Sequence, residues 1–167
     1  MNSLELTWVE PVEQPIPAEL ATLSEHPVVM QALTHRGITS LQQAQAFIDP
    51  NLYTLASPFG LPDMDVALAR LQRAIQMKEK IAIWGDFDVD GQTATALLAQ
   101  TFNLLGASYL WHIPIRSRES HGVNLTGLER LIKSGAQLLL TCDTGITAHT
   151  EVDFARRHHL DVVITDH

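Results

Sequence analysis

From residue 63 onward, the hydrophobic positions of the chain alternate between two spacings. Residues 63–80 carry apolar side chains at helical spacing, whereas residues 81–84 form a short, continuous apolar run that is typical of a buried strand. The same alternation predicts, in order, a helix over residues 93–105, a strand over 108–113, a helix over 125–133, a strand over 137–142, a helix over 148–159 and a strand over 161–165. Strands that alternate with helices in this way are joined by crossover connections. The pattern therefore predicts an α/β fold with a mostly parallel sheet flanked by helices.

The first third of the chain has a different pattern. Residues 26–36 predict a short helix, and Ser40 is in position to cap a second one. A loop rich in turn-forming residues, 51–62, joins this region to the rest. We therefore divide the chain into an N-terminal tail with a small helical appendage, residues 1–62, and a main domain, residues 63–167.

Acidic residues follow three of the predicted strands. Asp86 and Asp88 come after the first strand, Asp143 after the third, and Asp166 with His167 after the fourth. In an open parallel sheet the carboxyl ends of the strands share one edge, and ligands bind in the crevice outside it. The sequence therefore predicts that these side chains meet in space.

The chemistry of these side chains suits a divalent cation. Asp86 and Asp88 are two positions apart, so in extended backbone they point the same way. Carboxylates with one histidine favour Mn²⁺ or Mg²⁺, and two such ions about 3.5–4 Å apart stabilise both oxygens of a displacement at phosphorus. Gly91 and the helix expected from Thr93 would offer free backbone N–H groups to a phosphate oxygen, and Gly145 repeats that arrangement.

The acidic residues are open to three other interpretations. Any one aspartate at a strand end is equally well a turn residue or a helix cap, although this explains all three strand ends poorly. A calcium loop beginning at Asp86 would need glutamate at its twelfth position, where Leu97 stands. A dinucleotide fold would need a glycine fingerprint, which does not follow the first strand.

Composition narrows the function classes. The 167 residues are 46% hydrophobic, enough for a real core, and no apolar run approaches the roughly 18 residues of a membrane span. We therefore expect no membrane association and, by default, a cytoplasmic protein. The net charge of -8 disfavours nucleic acid only weakly, because carboxylates that bind cations are neutralised in use. A single cysteine, Cys142, excludes an internal disulfide and a cysteine-based zinc site.

Several motifs carry a family resemblance. The segment "GDFDVDG" (residues 85–91) resembles the first motif of the DHH phosphoesterase superfamily, "CDTGI" (142–146) resembles its Asp-x-Gly-Ile motif, and "TDH" (165–167) resembles the start of its Asp-His-His signature. The segments "RGITSLQQAQAFIDP", "SPFGLPDMDVALARLQRAI" and "IPIRSRESHGVN" are similar to those of RecJ-type single-strand-specific exonucleases. The resemblance covers roughly residues 30–167.

The resemblance implies a manganese- or magnesium-dependent phosphodiesterase that degrades single-stranded DNA from its 5′ end. By motif position it implies a set of metal ligands, namely Asp86, Asp88, Asp143 and His167. It also implies that Asp90 and Asp166 are carboxylates that orient those ligands. The nucleophile would be a metal-activated water, so no side chain attacks phosphorus.

The resemblance also implies residues that face the nucleic acid. Arg116 and Arg118 lie in the corresponding segment, where a guanidinium binds a phosphate through two hydrogen bonds. His121 in the same segment is a further candidate for a phosphate contact.

The chain departs from the family pattern in places. Trp84 stands where a histidine often precedes the first motif, and Ser120 and His121 replace the usual Gly-Tyr. The second signature histidine, a further metal-binding aspartate and the C-terminal substrate-binding domain are absent up to His167. We therefore expect weak or no nuclease activity from these residues alone.

Two alternative functions remain open from the sequence. One is a DHH phosphodiesterase that acts on short oligonucleotides or cyclic dinucleotides. The other is a non-catalytic module that binds DNA or a replication partner; the convergent carboxylates argue against it, because a silent site has no chemical need for them.

Overall fold

The computed structural model describes residues 9–23, 26–119 and 121–166. His167 and the first eight residues of the predicted tail therefore lie outside the described residues. The chain divides into two compact units, Met1–Ser57 and Pro58–His167. None of the helices in the described residues has both the length and the apolar character that crossing a membrane requires.

The first unit is built on two short helices, α1 (Pro27–His35) and α2 (Leu41–Ile48), with 3-10 turns at Leu20–Thr22 and Pro50–Leu52. Its small core consists of Leu20, Met30, Leu33 and Ala44. The Gln43 N–H donates to Ser40 Oγ at 3.3 Å, so Ser40 caps α2 as its sequence position predicted.

The second unit alternates helices and strands. Its elements are a 3-10 turn at Pro58–Gly60, α3 (Met64–Gln76), β1 (Lys80–Trp84), α4 (Val89–Leu104), β2 (Tyr109–His112), α5 (Leu125–Lys133), β3 (Ala136–Cys142), α6 (His149–Arg157) and β4 (Asp161–Thr165). The four strands form one sheet in the order β2-β1-β3-β4, and every neighbouring pair is parallel. The predicted α/β class with a parallel sheet and flanking helices is confirmed.

The central strands β1 and β3 bury both of their faces, which explains why they read as continuous apolar runs, whereas the edge strands β2 and β4 are partly exposed. Ile81 and Ile83 pack on one face with side chains of α3 and α4, including Phe102. Ala82 and Trp84 pack on the opposite face with side chains of α5 and α6, including Leu128.

One helix boundary differs from its prediction in a way that matters for the site. Helix α4 begins at Val89, about one turn before the predicted start at Thr93. Asp88 is its N-cap residue, and the side chain of Asp88 accepts a hydrogen bond from the Gly91 N–H at 2.9 Å. The cap satisfies one of the unpaired N–H groups of the first turn, so α4 starts within the "GDFDVDG" motif, directly after Asp88.

The contact between α5 and β1 depends on a glycine. A Cβ at Gly127 would lie 2.7 Å from Cζ3 of the fully buried Trp84 ring. In an open helix position, Gly→Ala adds about 0.5–1 kcal/mol of stability, whereas overpacking a core costs about 1–3 kcal/mol. We expect Gly127→Ala to lower the free energy of unfolding in urea denaturation. Gly60→Ala, where no atom lies within 4 Å of the added Cβ, is the matched control. A Gly127→Ala protein as stable as the wild type would contradict this packing.

Candidate metal centre

The register of the sheet sets three aspartates at one level of its carboxyl edge. Trp84 of β1 pairs with Thr141 of β3, and Thr141 pairs with Ile164 of β4. Asp86, Asp143 and Asp166 each follow one of these paired residues by two positions. The three carboxylates therefore leave adjacent strands at the same level.

Asp86 is the buried member of this set, with only 4% of its surface exposed. Its Oδ1 is buried, and no group among the described residues hydrogen-bonds it. Its Oδ2 lies 3.5 Å from Nε2 of His121, whose side chain is largely exposed. Leaving a carboxylate oxygen buried without a partner costs about 1–3 kcal/mol or more. Because a divalent cation would satisfy that oxygen, the donor set fits the metal that the sequence predicts.

Gly91 serves Asp86 through packing. A Cβ at Gly91 would lie 2.6 Å from Cβ of Asp86, so only glycine lets the first turn of α4 approach Asp86 this closely. The expectation that the Gly91 N–H is free for a phosphate is wrong, because that N–H donates to Asp88 Oδ1. Asp88 itself is exposed, and the cap uses one of its two carboxylate oxygens.

Asp143 and Asp166 line the same cavity of about 370 Å³, together with His121, Gly145 and Glu151. Asp143 has a φ of +62°, a left-handed conformation that is uncommon outside glycine and recurs at functional sites. Its backbone N–H donates to the Thr165 carbonyl at 2.9 Å, which extends the β3–β4 ladder to the edge.

Asp166 holds the loop after β3. Its Oδ2 accepts a hydrogen bond from the Ile146 N–H at 2.8 Å, close to Gly145. A Cβ at Gly145 would lie 3.1 Å from Thr141 Oγ1, so the loop also packs closely on β3. The contact matches the orienting role expected of Asp166, which stays a prediction.

Two of the predicted phosphate contacts lie at this edge. The Arg116 guanidinium sits 4.8 Å above the centre of the Phe87 ring, and the His121 ring meets Phe87 edge-on at 5.2 Å. His121 thereby lies beside Asp86, and Arg116 lines a cavity with Asp88. Arg118 and Asp90 are exposed; Asp90 lies in the first turn of α4.

The described residues do not form a ready-made metal site. No group of three or more His, Cys, Asp or Glu side chains within residues 9–23, 26–119 and 121–166 is arranged to hold an ion. The predicted ligand His167 lies outside these residues. The carboxylates therefore lie at one edge of the sheet, but the described residues do not supply a complete set of metal ligands.

Sequence reasoning missed a charged network beside the edge. Glu119 bridges His112, at the end of β2, and Arg130, on α5. Burial lowers the pKa of His112, an effect that neighbouring Glu119 partly offsets. No motif singles out this trio. Glu151 was also missed; its only signal is an acidic residue in the first turn of α6.

The parallel sheet with aspartates at its carboxyl edge is the α/β architecture expected of the DHH phosphoesterase class. Residues 80–167 match the DHH family, N-terminal domain, and the chain belongs to this family.

Its relatives include bacterial proteins named single-stranded-DNA-specific exonuclease RecJ. The Bacillus subtilis (strain 168) protein is 34% identical over 171 residues, which cover 100% of this chain and 22% of the relative. The Thermus thermophilus protein is 32% identical over 148 residues, which cover 89% of this chain and 21% of the relative. The predicted resemblance to RecJ-type exonucleases is confirmed.

Solved structures agree with this assignment. The chain resembles a crystal structure of exonuclease RecJ bound to manganese, with a TM-score of 0.63 and 35% identity over 68% of this chain and 29% of that one. It also resembles Thermus thermophilus RecJ in complex with Mn²⁺, with a TM-score of 0.59 and 31% identity over 89% of this chain and 20% of that one. The chain thus spans less than a third of each of these relatives.

The buried carboxylate of Asp86 is expected to affect Mn²⁺ affinity and the free energy of unfolding in opposite directions. We expect Asp86→Asn to weaken Mn²⁺ binding by about tenfold or more, because it removes a ligand charge. The free energy of unfolding without metal should not fall, because the substitution also removes a poorly partnered buried charge. Titration calorimetry with MnCl₂ and urea denaturation measure the two quantities. Asp153→Asn, an exposed position on α6, is the control, and equal Mn²⁺ affinity in the wild type and Asp86→Asn would contradict the assignment.

The lowered pKa of His112 predicts a pH dependence of stability. An unfolded histidine takes up a proton near pH 6.5, whereas the folded protein holds His112 neutral to lower pH. This contribution to stability is therefore present above about pH 6.5 and is lost as the pH falls towards the folded pKa. Urea denaturation between about pH 8 and pH 5 should show a shallower loss of stability on acidification in His112→Gln than in the wild type. Parallel curves for the two proteins would contradict it.

Proposed function

We propose that this chain supplies the metal-binding part of a manganese- or magnesium-dependent phosphodiesterase that removes nucleotides from the 5′ end of single-stranded DNA. The observation that carries the proposal is the placement of Asp86, Asp143 and Asp166 on adjacent strands at one level, with a buried Asp86 oxygen left without a partner among the described residues. Similarity to RecJ proteins that are named for this substrate supports the proposal.

In this proposal the carboxylates hold the cation and the fold holds the carboxylates. Asp86 is fixed by burial and by the close approach of α4 at Gly91. Asp88 keeps one oxygen for the cation while the other caps α4. Asp143 contributes from β3, and His167 is the fourth ligand expected from the sequence. When bound, the ion supplies Lewis-acid polarisation of a phosphate oxygen and lowers the pKa of a water molecule.

The remaining residues are proposed to orient the metal ligands or to bind a phosphate of the substrate. Asp166 fixes the loop after Asp143 through the Ile146 N–H, and Asp90 at the start of α4 would orient a ligand in the same way. Arg116 and His121 supply positive or hydrogen-bonding groups beside the carboxylates, where a phosphate of the substrate would sit. Arg118 and Gly145 are the further positions proposed to meet the phosphate.

Hydrolysis under enzyme excess tests this function, because it detects a slow reaction. We expect the chain with Mn²⁺ to release mononucleotides slowly from 5′-phosphorylated single-stranded DNA, and Asp88→Ala to reduce the rate to that of the metal-free reaction. Labelled products separated by electrophoresis give the rates. Equal rates for the two proteins would remove Asp88 from the mechanism.

The same assay separates the alternative substrates. A linear dinucleotide and a cyclic dinucleotide are tested beside the longer strand. Faster hydrolysis of either one would favour the small-substrate phosphodiesterase. Mn²⁺ binding that does not depend on Asp86 or Asp143 would favour a non-catalytic module.

A further inference from the structure

A carboxylate with low exposure ties together three parts of the second unit. Glu119 Oε2 lies 3.0 Å from Nε2 of His112, and Glu119 Oε1 lies 2.5 Å from Nη2 of Arg130. The side chains of Glu119 and His112 are only 16% and 17% exposed. Burial by itself would raise the pKa of Glu119, but Arg130 and His112 together bring that pKa below its usual value. The carboxylate is thus held in its charged form between two elements of the fold.

Both partners of Glu119 belong to elements of the framework, and of the two side chains His112 is mostly buried whereas Arg130 is 55% exposed. His112 is the last residue of β2, and its ring packs edge-on against the fully buried Trp84 at 4.5 Å between ring centres. Arg130 lies on α5, whose first turn is capped by Asn124. Glu119 belongs to neither element: it lies on the connection between them.

That connection carries the proposed phosphate contacts. It begins after His112 and ends at Asn124, the cap of α5. The backbone N–H groups of Arg118 and Glu119 both donate to the Ile115 carbonyl at 2.8 Å, which forms a compact turn around the bridge. Arg116 lies inside this turn.

Glu119 is also close in sequence to His121, the residue that contacts Asp86. His121 follows Glu119 by two positions, and its Nε2 lies 3.5 Å from Asp86 Oδ2. Arg116 precedes Glu119 by three positions, and its guanidinium covers the Phe87 ring. A fixed point at Glu119 therefore limits where the Arg116 and His121 side chains lie relative to Asp86 and Asp88.

A connection that only joined β2 to α5 would not need a charge of low exposure. Partly burying a carboxylate is unfavourable unless its oxygens are paired, and here both are, to side chains from different elements. Charge-assisted hydrogen bonds of this kind also have a narrow geometry. The arrangement is suited to holding one conformation of the turn from Ile115 to Glu119.

From this geometry we propose that Glu119 is a positioning residue. It holds the described part of the connection between β2 and α5 so that Arg116 stays over Phe87, in the cavity that it lines with Asp88, and His121 stays beside Asp86, where a substrate phosphate would bind. The phosphate part of this inference rests on the proposed function, whereas the positioning of His121 does not.

The test separates local geometry from substrate binding. Glu119→Gln keeps the shape of the side chain and removes its charge, and Glu129→Gln, an exposed residue paired with Lys133 on α5, is the matched control. The first readout is the NMR shift of the His121 ring protons without metal or DNA, which depends on the nearby Phe87 ring. We expect a shift in Glu119→Gln and none in Glu129→Gln. Unchanged His121 signals in Glu119→Gln would overturn the positioning role, whatever the DNA assays show.

The second readout is fluorescence anisotropy with 5′-phosphorylated and 5′-hydroxyl single-stranded oligonucleotides in Ca²⁺. We expect the wild type to prefer the phosphorylated strand and Glu119→Gln to lose at least about threefold of that preference, since a charge-assisted contact is misplaced. Preference retained in Glu119→Gln would overturn the link to substrate. A wild type without any preference, combined with a shifted His121 signal, would instead refute the proposed phosphate site and leave the positioning role standing.

A second variant covers failure of Glu119→Gln to fold. Arg130→Gln removes one partner of Glu119 and leaves the contact with His112 in place. It should move the His121 signals in the same direction, at a thermal midpoint close to that of Glu129→Gln. Unmoved signals in a folded Arg130→Gln protein would overturn the proposal.

Discussion

The parallel register of β1, β3 and β4 is the constraint on which the rest of the structure depends. Because side chains alternate along a strand, a slip of one residue would turn an aspartate from the crevice to the other side of the sheet. The observed register sets Asp86, Asp143 and Asp166 at one level. The two apolar faces fix that register, since Ile81 and Ile83 serve one core and Ala82 and Trp84 the other. The packing of the core therefore determines the geometry of the site.

Two features of the site lower the stability of the fold. Asp86 is buried with one oxygen lacking a partner among the described residues, and Asp143 adopts a left-handed backbone. Both features are unfavourable for a folded chain without a ligand and are tolerated only where the surroundings are well packed. Gly91 and Gly127 provide that packing, since each lets a helix approach β1 or the acidic motif more closely than any other residue would.

The connection between β2 and α5 adds side chains to the carboxyl edge of the sheet, and Glu119 anchors this connection to the rest of the fold. Glu119 pairs with His112 and Arg130, and the same segment carries Arg116 over Phe87 and His121 beside Asp86. The sheet thus places the carboxylates, and the bridge from Glu119 to His112 and Arg130 holds the segment that carries Arg116 and His121. The two are linked, because His112 belongs to the sheet and packs against Trp84 of β1.

The sequence by itself determined the element order, the parallel sheet and the strand ends that carry Asp86, Asp143 and Asp166. It could do so because apolar periodicity and strand-end position are local features, and the parallel topology follows from the crossovers. Local signals did not reveal that Asp88 caps α4 and takes up the Gly91 N–H, because the competing donors and acceptors meet only in the folded turn. The bridge of Glu119 to His112 and Arg130 was likewise decided by tertiary structure, since the three residues lie on a connection, a strand and a helix that meet only in the fold. Burial of one Asp86 oxygen was also beyond the sequence, because burial depends on how α4 packs against β1.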